Sequence, residues 1–236
     1  MQLRGIVFDL DGTLIVSHHD FRRMQEEVVS LAEEFGVPQG RIQVTEAIGT
    51  TQTIRGARSQ LELAGVDAAR RSRFEVELRR SIDVIEMEAL SRTSLRSGAE
   101  ALLKTLRDRG FGLGLFTRSS EAFCRAALAR VHLDFFFSNV RTRDTPGPEK
   151  PSPEALHALL REMRVPVGRA VLVGDHLEDA ECAMRAGVLF YGVLPDPAQP
   201  NPTTTQSFLS SGAAAVATDL SEIAGLLGVG PDLSTR

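Results

Sequence analysis

Four short apolar runs constrain this chain more than any other feature: Leu3 to Phe8, Leu113 to Thr117, Ala170 to Asp175 and Val188 to Leu194. Runs of this length, rich in Val, Ile and Leu and bounded by turn or polar residues, read as buried strands rather than helices. Helix-period segments lie between them. One is opened by Ser97-Gly98, puts Ala101, Leu102, Thr105 and Leu106 on one face, and is closed by Gly110. Others cover Glu121 to Arg130, Glu154 to Met163, a stretch to about Ala186, and Leu220 to Leu227. Strands alternating with helices predict an α/β fold, a Rossmann-like parallel sheet covered on both faces. Phe135-Phe136-Phe137 is a further short apolar run, and the polar segment from Arg141 to Pro153 reads as loop. Pro195, Pro197, Pro200 and Pro202 predict a rigid loop, the tail from Gly228 is expected to fray, and no internal repeat is visible.

The alternation is interrupted once. From Asp20 to Arg92 the pattern is helical only: Met24, Val28, Leu31 and Phe35 fall at helical spacing, as do Phe74, Leu78, Ile82 and Ile85. The expected organisation is therefore a core of residues 1–16 and 93–236 with a helical insertion at 17–92. That insertion holds 11 arginines against 13 acidic residues, so its Arg70, Arg71, Arg73, Arg79 and Arg80 read as a solvated, ion-paired face rather than a polyanion site.

Charge and cysteine usage exclude several classes. A net charge of −4 without charge blocks recommends neither nucleic acid nor an anionic membrane as partner. Cys124 and Cys182 are too few for a disulfide framework. Asp9 interrupts the first apolar run before it could serve as a signal peptide, and no window reaches the roughly 18 apolar residues of a membrane span. A cytoplasmic protein is expected. Only Lys104 and Lys150 are lysines, against 25 arginines, so each lysine invites a chemical reason.

In open α/β sheets ligands bind beyond the carboxyl ends of the strands. Here those positions hold Asp9 and Asp11, then Thr117 and Arg118, then Asp175 and Asp179, with Lys150 in the loop before the helix feeding the last strand. Carboxylates 4 Å apart repel by about 1 kcal/mol in water and about 4 near a protein surface. They need a cation, and oxygen ligands without nearby His or Cys favour Mg²⁺ over zinc. An ionised carboxylate attacks phosphorus without an activating base, and a second one nearby can pass a proton to the leaving oxygen.

Asp9-Leu10-Asp11-Gly12-Thr13, Thr117, Lys150-Pro151-Ser152-Pro153 and Gly174-Asp175-His176-Leu177-Glu178-Asp179 resemble, in order and spacing, the four motifs of the haloacid-dehalogenase-like hydrolases. The insertion looks like the cap of the phosphoglycolate-phosphatase and β-phosphoglucomutase branch. The resemblance implies Asp9 as nucleophile, Asp11 as general acid/base, Thr117 on the phosphoryl oxygens and Lys150 neutralising nucleophile and phosphoryl charge. It further implies Mg²⁺ held by Asp9, the backbone carbonyl of Asp11 and Asp175, with Asp179 as a ligand or just behind one. The implied activity is a Mg²⁺-dependent phosphatase acting on a small phosphorylated metabolite through an aspartyl-phosphate.

Other readings remain beside it. A phosphomutase shares all four motifs, and a silent phospho-ligand binding protein shares the fold. A dehalogenase lacks the second acid supplied here by Asp11, a phosphonatase needs a cap lysine that this insertion lacks, and a phospho-acceptor receiver module has no large insertion. Arg118 stands where many relatives have Asn or a small residue, and it either reaches the phosphate or points to solvent. His18-His19 reads as a polar hinge, His176 as a positioning residue, and Gly110-x-Gly112-x-Gly114 as packing. Gly49-Thr50-Thr51 with Arg55 and Arg58 is the best candidate for a substrate-facing cap segment. Neither substrate nor oligomeric state is legible.

Overall fold

The computed structural model describes residues 2–45, 48–195 and 204–228. The loop expected at Pro197, Pro200 and Pro202 and the fraying expected beyond Gly228 lie outside them. In chain order the elements are β1 (Gly5–Phe8), β2 (Ile15–Val16), α1 (Phe21–Glu34), α2 (Thr50–Leu63), α3 (Ala68–Ala89), β3 (Ser94–Leu95), α4 (Ala99–Asp108), β4 (Gly112–Phe116) and α5 (Glu121–Arg130). There follow β5 (Asn139–Arg141), α6 (Pro153–Glu162), β6 (Ala170–Gly174), α7 (Leu177–Ala186), β7 (Leu189–Val193), α8 (Thr205–Ser210), β8 (Ala215–Ala217) and α9 (Leu220–Leu226).

Six strands form one parallel sheet in the order β5-β4-β1-β6-β7-β8. The chain runs outward from β1 through β4 to β5, then returns to the other side of β1 and runs outward again through β6, β7 and β8. That reversal makes the carboxyl end of β1 a topological switch point, where such sheets open a crevice. β1 is central, with Gly5 in register with Gly112 on one side and Ala170 on the other, and its Ile6, Val7 and Phe8 are fully buried. Burial on both faces explains why the strand reads as a continuous apolar run. Val7, Leu156, Leu159, Leu172, Phe190 and Phe208 belong to the core under one face. This is the α/β, Rossmann-like class that the alternation predicts.

The chain divides into two units, Met1–Ser17 with Arg92–Arg236, and His18–Ser91. The second is built from α1, α2 and α3. Its core takes Met24, Val28, Leu31, Phe35, Phe74, Leu78, Ile82 and Ile85, the residues at helical spacing, and adds Leu61 from α2. Phe35 and Phe74 meet edge to face with centroids 5.8 Å apart. Asp20 and Asp67 cap α1 and α3, accepting from the backbone N–H of Arg23 and Arg70.

Several elements depart from expectation. β5 falls where an apolar run gives way to loop, because three residues are too few to display a period of two. Phe135-Phe136 belongs to a 3-10 turn, Asp134–Phe136, and Phe135 is exposed with the Arg107 guanidinium over its ring. In α4 the buried face is Ala99, Leu102, Leu103 and Leu106, whereas Ala101 is exposed and Thr105 half-buried. β8 and the antiparallel β2-β3 ribbon are short elements made by strand pairing, α8 is a six-residue helix capped locally by Thr204, and none of them left a periodic signal.

Candidate active site

The site begins where β1 ends. Asp9 continues the ladder, its N–H donating to the Val173 carbonyl at 2.9 Å, and the backbone then turns back through Leu10 to Ile15. Gly12 has φ +86, and a Cβ there would stand 2.2 Å from Asp175 Oδ2. Only glycine serves both the turn and the close approach. The Thr13 hydroxyl donates to Asp175 Oδ1 at 2.8 Å. Gly174 plays the matching part after β6, since a Cβ there would lie 2.4 Å from Asp179 Oδ2. The two glycines leave room for two carboxylates to sit against the backbone.

Lys150 joins the groups. Its Nζ donates to Asp9 Oδ1 at 2.5 Å and to the Phe116 carbonyl at 3.0 Å, and it is ion-paired with Asp179. It is 5% exposed, which an ammonium tolerates only when paired. Arg141 anchors the loop leading to it, donating to Glu162 at 3.0 Å and to the Pro146 carbonyl at 3.1 Å. Thr117, just past β4, is buried, and its Oγ1 accepts from the Ser119 N–H at 3.1 Å.

Asp9, Asp175 and Asp179 are all buried and offer carboxylate oxygens within 4.8 Å of one another. Burial pushes the Asp9 carboxyl up to about 6, against the pull of Lys150 and with the push of Asp179. Asp175 is raised well above the ordinary range by burial, then by the charges of Asp9 and Asp179. Burial works against the Lys150 ammonium, but Asp179 and Asp9 outweigh it and raise its pKa. Three buried carboxylates against one ammonium leave a surplus of negative charge that a divalent cation would neutralise. The donor set suits a hard ion: the carboxylates supply only oxygen, and burial first of all pushes the neighbouring Cys182 thiol up to about 12, which keeps it neutral. His176 Nδ1 is engaged as the cap of α7, accepting from Glu178 N–H at 3.2 Å.

Not every expected residue joins this cluster. Asp11 is half-buried, and its Oδ1 accepts from the Ser17 N–H at 3.2 Å; its charge raises Asp9 and Asp175, but its carboxylate is not one of the three. Arg118 neither reaches out alone nor lies free: its Nη1 is 2.7 Å from Glu178 Oε2. Because β4 and β6 flank β1, this pair crosses the carboxyl end of the strand that carries Asp9. The His176 N–H holds Asp179 Oδ2 at 3.1 Å. His18 has φ 56 at the point where the chain passes from one unit to the other. Gly49 caps α2, and Arg58 in that helix is held by Glu75 through two bonds of 2.8 Å. Thr13 and Glu178 acquire roles that sequence reasoning missed. Both lie within the motifs, Thr13 in the first and Glu178 in the fourth, but nothing in the spacing marks Glu178 as the partner of Arg118.

Fold and site define an α/β enzyme whose chemistry lies on a carboxylate-lined sheet edge. The family model of the haloacid dehalogenase-like hydrolases matches residues 3–187, and the chain belongs to that family. It is 31% identical over 201 residues to the phosphoglycolate phosphatase of Rhodospirillum rubrum, with 82% of each chain covered. A solved chain from Bacteroides fragilis, described as a haloacid dehalogenase-like hydrolase, superposes with TM-score 0.69 at 20% identity, covering 94% of this chain and 100% of its own. A hydrolase from Pseudomonas syringae gives TM-score 0.66 at 19% identity, covering 97% and 100%. The chain is an enzyme of the family's phosphatase class. Among the described residues no helix is long and apolar enough to cross a membrane.

Proposed function

We propose that this enzyme hydrolyses the phosphate monoester of a small metabolite, with Mg²⁺, through an aspartyl-phosphate on Asp9. One observation carries the reading: the buried Lys150 ammonium lies 2.5 Å from Asp9 in a cluster completed by Asp175 and Asp179. At pH 7 a carboxyl with pKa about 6 is mainly ionised and attacks without a base. An Asp9 oxygen bonds to phosphorus as the ester P–O bond breaks, and the departing oxygen takes a proton from Asp11. Asp11 then accepts a proton from the water that attacks phosphorus; the Asp9–phosphorus bond breaks and inorganic phosphate leaves. Lys150 and the Thr117 hydroxyl hold the phosphoryl oxygens, in a site dry enough to make those contacts strong. Asp9, Asp175, Asp179 and the Asp11 carbonyl would hold Mg²⁺. When bound, the ion supplies positive charge that offsets the carboxylates and the phosphoryl oxygens.

In this reading the helical insertion expected at residues 17–92 takes the role of the family's cap. Phosphoglycolate, named for the relatives, is the first substrate to assay. The buried free thiols Cys124 and Cys182 accord with a reducing cytoplasm. A panel of phosphate monoesters, assayed for phosphate release with Mg²⁺ and with EDTA, tests the reading together with acid-quench mass spectrometry. The expected result is steady, EDTA-sensitive release without a bisphosphate activator, and transient phosphate on Asp9. Phosphate on another residue, or turnover only with a bisphosphate, would overturn it.

A further inference from the structure

Arg96 follows β3, directly after the chain returns from the helical unit, and is only 5% exposed. Its guanidinium donates to two backbone carbonyls, Nη1 to Gly12 and Nη2 to Leu194. Its own N–H donates to the Leu14 carbonyl at 3.0 Å. Gly12 lies in the turn after β1, and Leu194 follows β7. In the sheet, β1 and β7 flank β6, and Asp175 is the first residue past β6. The two ends of the Arg96 fork are therefore fastened to the two loops on either side of Asp175.

A short chain of contacts runs from that fork to the carboxylate. Gly12 packs so closely on Asp175 that a Cβ would stand 2.2 Å from Oδ2, and the next residue, Thr13, donates to Oδ1 at 2.8 Å. Fixing the Gly12 carbonyl fixes both contacts. A planar guanidinium serves two carbonyls at once, whereas a single ammonium on a flexible stem does not hold that geometry. Burying a cation is costly without partners. Asp219, held in its ionised form by Ser221 and also by the field of Arg96, supplies part of the compensation.

We propose that Arg96 is a positioning residue for the metal site, holding the Gly12–Thr13 turn so that Asp175 is presented as a ligand. The proposal rests on the reading of Asp175 as a metal ligand. Groups that orient ligands in this way change metal affinity by about 10- to 100-fold when removed. The test is calorimetric Mg²⁺ binding to wild type and to Arg96→Met, Arg96→Lys, Arg130→Met and Asp175→Asn, beside metal-free melting temperatures. Arg130 is the control: it is an exposed arginine that also donates to a backbone carbonyl, that of Thr93, at 2.9 Å.

Arg96→Met is expected to weaken Mg²⁺ binding by about tenfold or more and Arg96→Lys by severalfold. Arg130→Met should lower the melting temperature modestly and leave Mg²⁺ affinity within about twofold of wild type, since α5, which ends at Arg130, carries none of the three clustered carboxylates. Wild-type affinity in either folded Arg96 variant would overturn the proposal and leave Arg96 a loop staple, and the lysine variant decides the matter should the methionine variant not fold. Equal weakening in Arg130→Met would also overturn it, because the effect would then be general destabilisation. Wild-type affinity in Asp175→Asn overturns the metal reading itself, a separate result from retention in Arg96→Met alone.

Discussion

The two units of the chain bury charge to different extents. In the helical unit Glu86 is buried, but the ion pairs Arg22 with Glu26, Arg58 with Glu75 and Arg73 with Glu77 all retain substantial exposure, over an interior built mainly of Phe, Leu, Ile and Val. The α/β unit buries Asp9, Asp175, Asp179, Lys150, Arg96 and Arg141. Stability in the first is spread over many apolar contacts, each fully buried side chain contributing about 1.5–3 kcal/mol. In the second, a few charges are held where water cannot screen them, so each has a large effect on chemistry. That contrast teaches where function is concentrated before any substrate is known.

The contrast is broken most directly at Asp9. Asp9→Asn should lower phosphate release by about 10⁴ or more while the protein stays folded, because a neutral amide is a poor nucleophile. Stopped assays under saturating Mg²⁺ check this, and substantial turnover would remove Asp9 from its role. The two lysines give the next largest difference. Lys150→Ala should lower kcat by about 10² or more, as removal of one preorganised charge does. Lys104→Ala, on the exposed side of α4, should change kcat by less than about twofold. Equal behaviour of the two variants would void the argument from burial.

The carboxylate surplus predicts a pH effect with a definite sign. Asp9 titrates at about 6 in the folded, metal-free protein and near 3.9 when unfolded, so the folded state binds the extra proton. Its contribution to stability is therefore most favourable at or below about pH 4 and is lost as pH rises to about 6. Asp175 acts in the same direction. With EDTA, the melting temperature of wild type relative to Asp9→Asn should fall across that window, and Mg²⁺ should abolish the fall. Asp175→Asn without metal should melt higher than wild type at neutral pH and gain less from Mg²⁺. A lower melting temperature with the full Mg²⁺ shift would make Asp175 structural. The smallest effect belongs to the helical unit's surface: Arg73→Ala, which breaks an ion pair of 3.9 Å, should change stability by no more than about 0.5 kcal/mol. A larger loss, measured by urea denaturation, would show that the outer ion pairs matter more than their exposure implies.

Local pattern carried much of this protein. A strand buried on both faces must be apolar along its whole length, so β1, β4, β6 and β7 were legible, as were the helical faces of Met24 to Phe35 and Phe74 to Ile85. Strand ends and turn chemistry were equally plain, so Asp9, Thr117 and Asp175 could be assigned to one sheet edge from spacing alone. Sequence spacing carries no information on which distant groups touch. Arg96 lies 84 positions from the Gly12 carbonyl it holds, and Arg118 meets Glu178 only because β4 and β6 both pair with β1. The short β5 and β8 are strands because neighbours supply their hydrogen-bond partners, not because three residues display a period. Asp11 shows the same limit: its motif marks it as an acid, but the turn at Gly12 directs its carboxylate to the Ser17 N–H rather than into the three-carboxylate cluster. Periodicity and turn chemistry are properties of neighbouring residues, so the sequence determined them. Sheet order, buried charge pairing and the company each carboxylate keeps arise only when remote segments meet, so tertiary structure decided those.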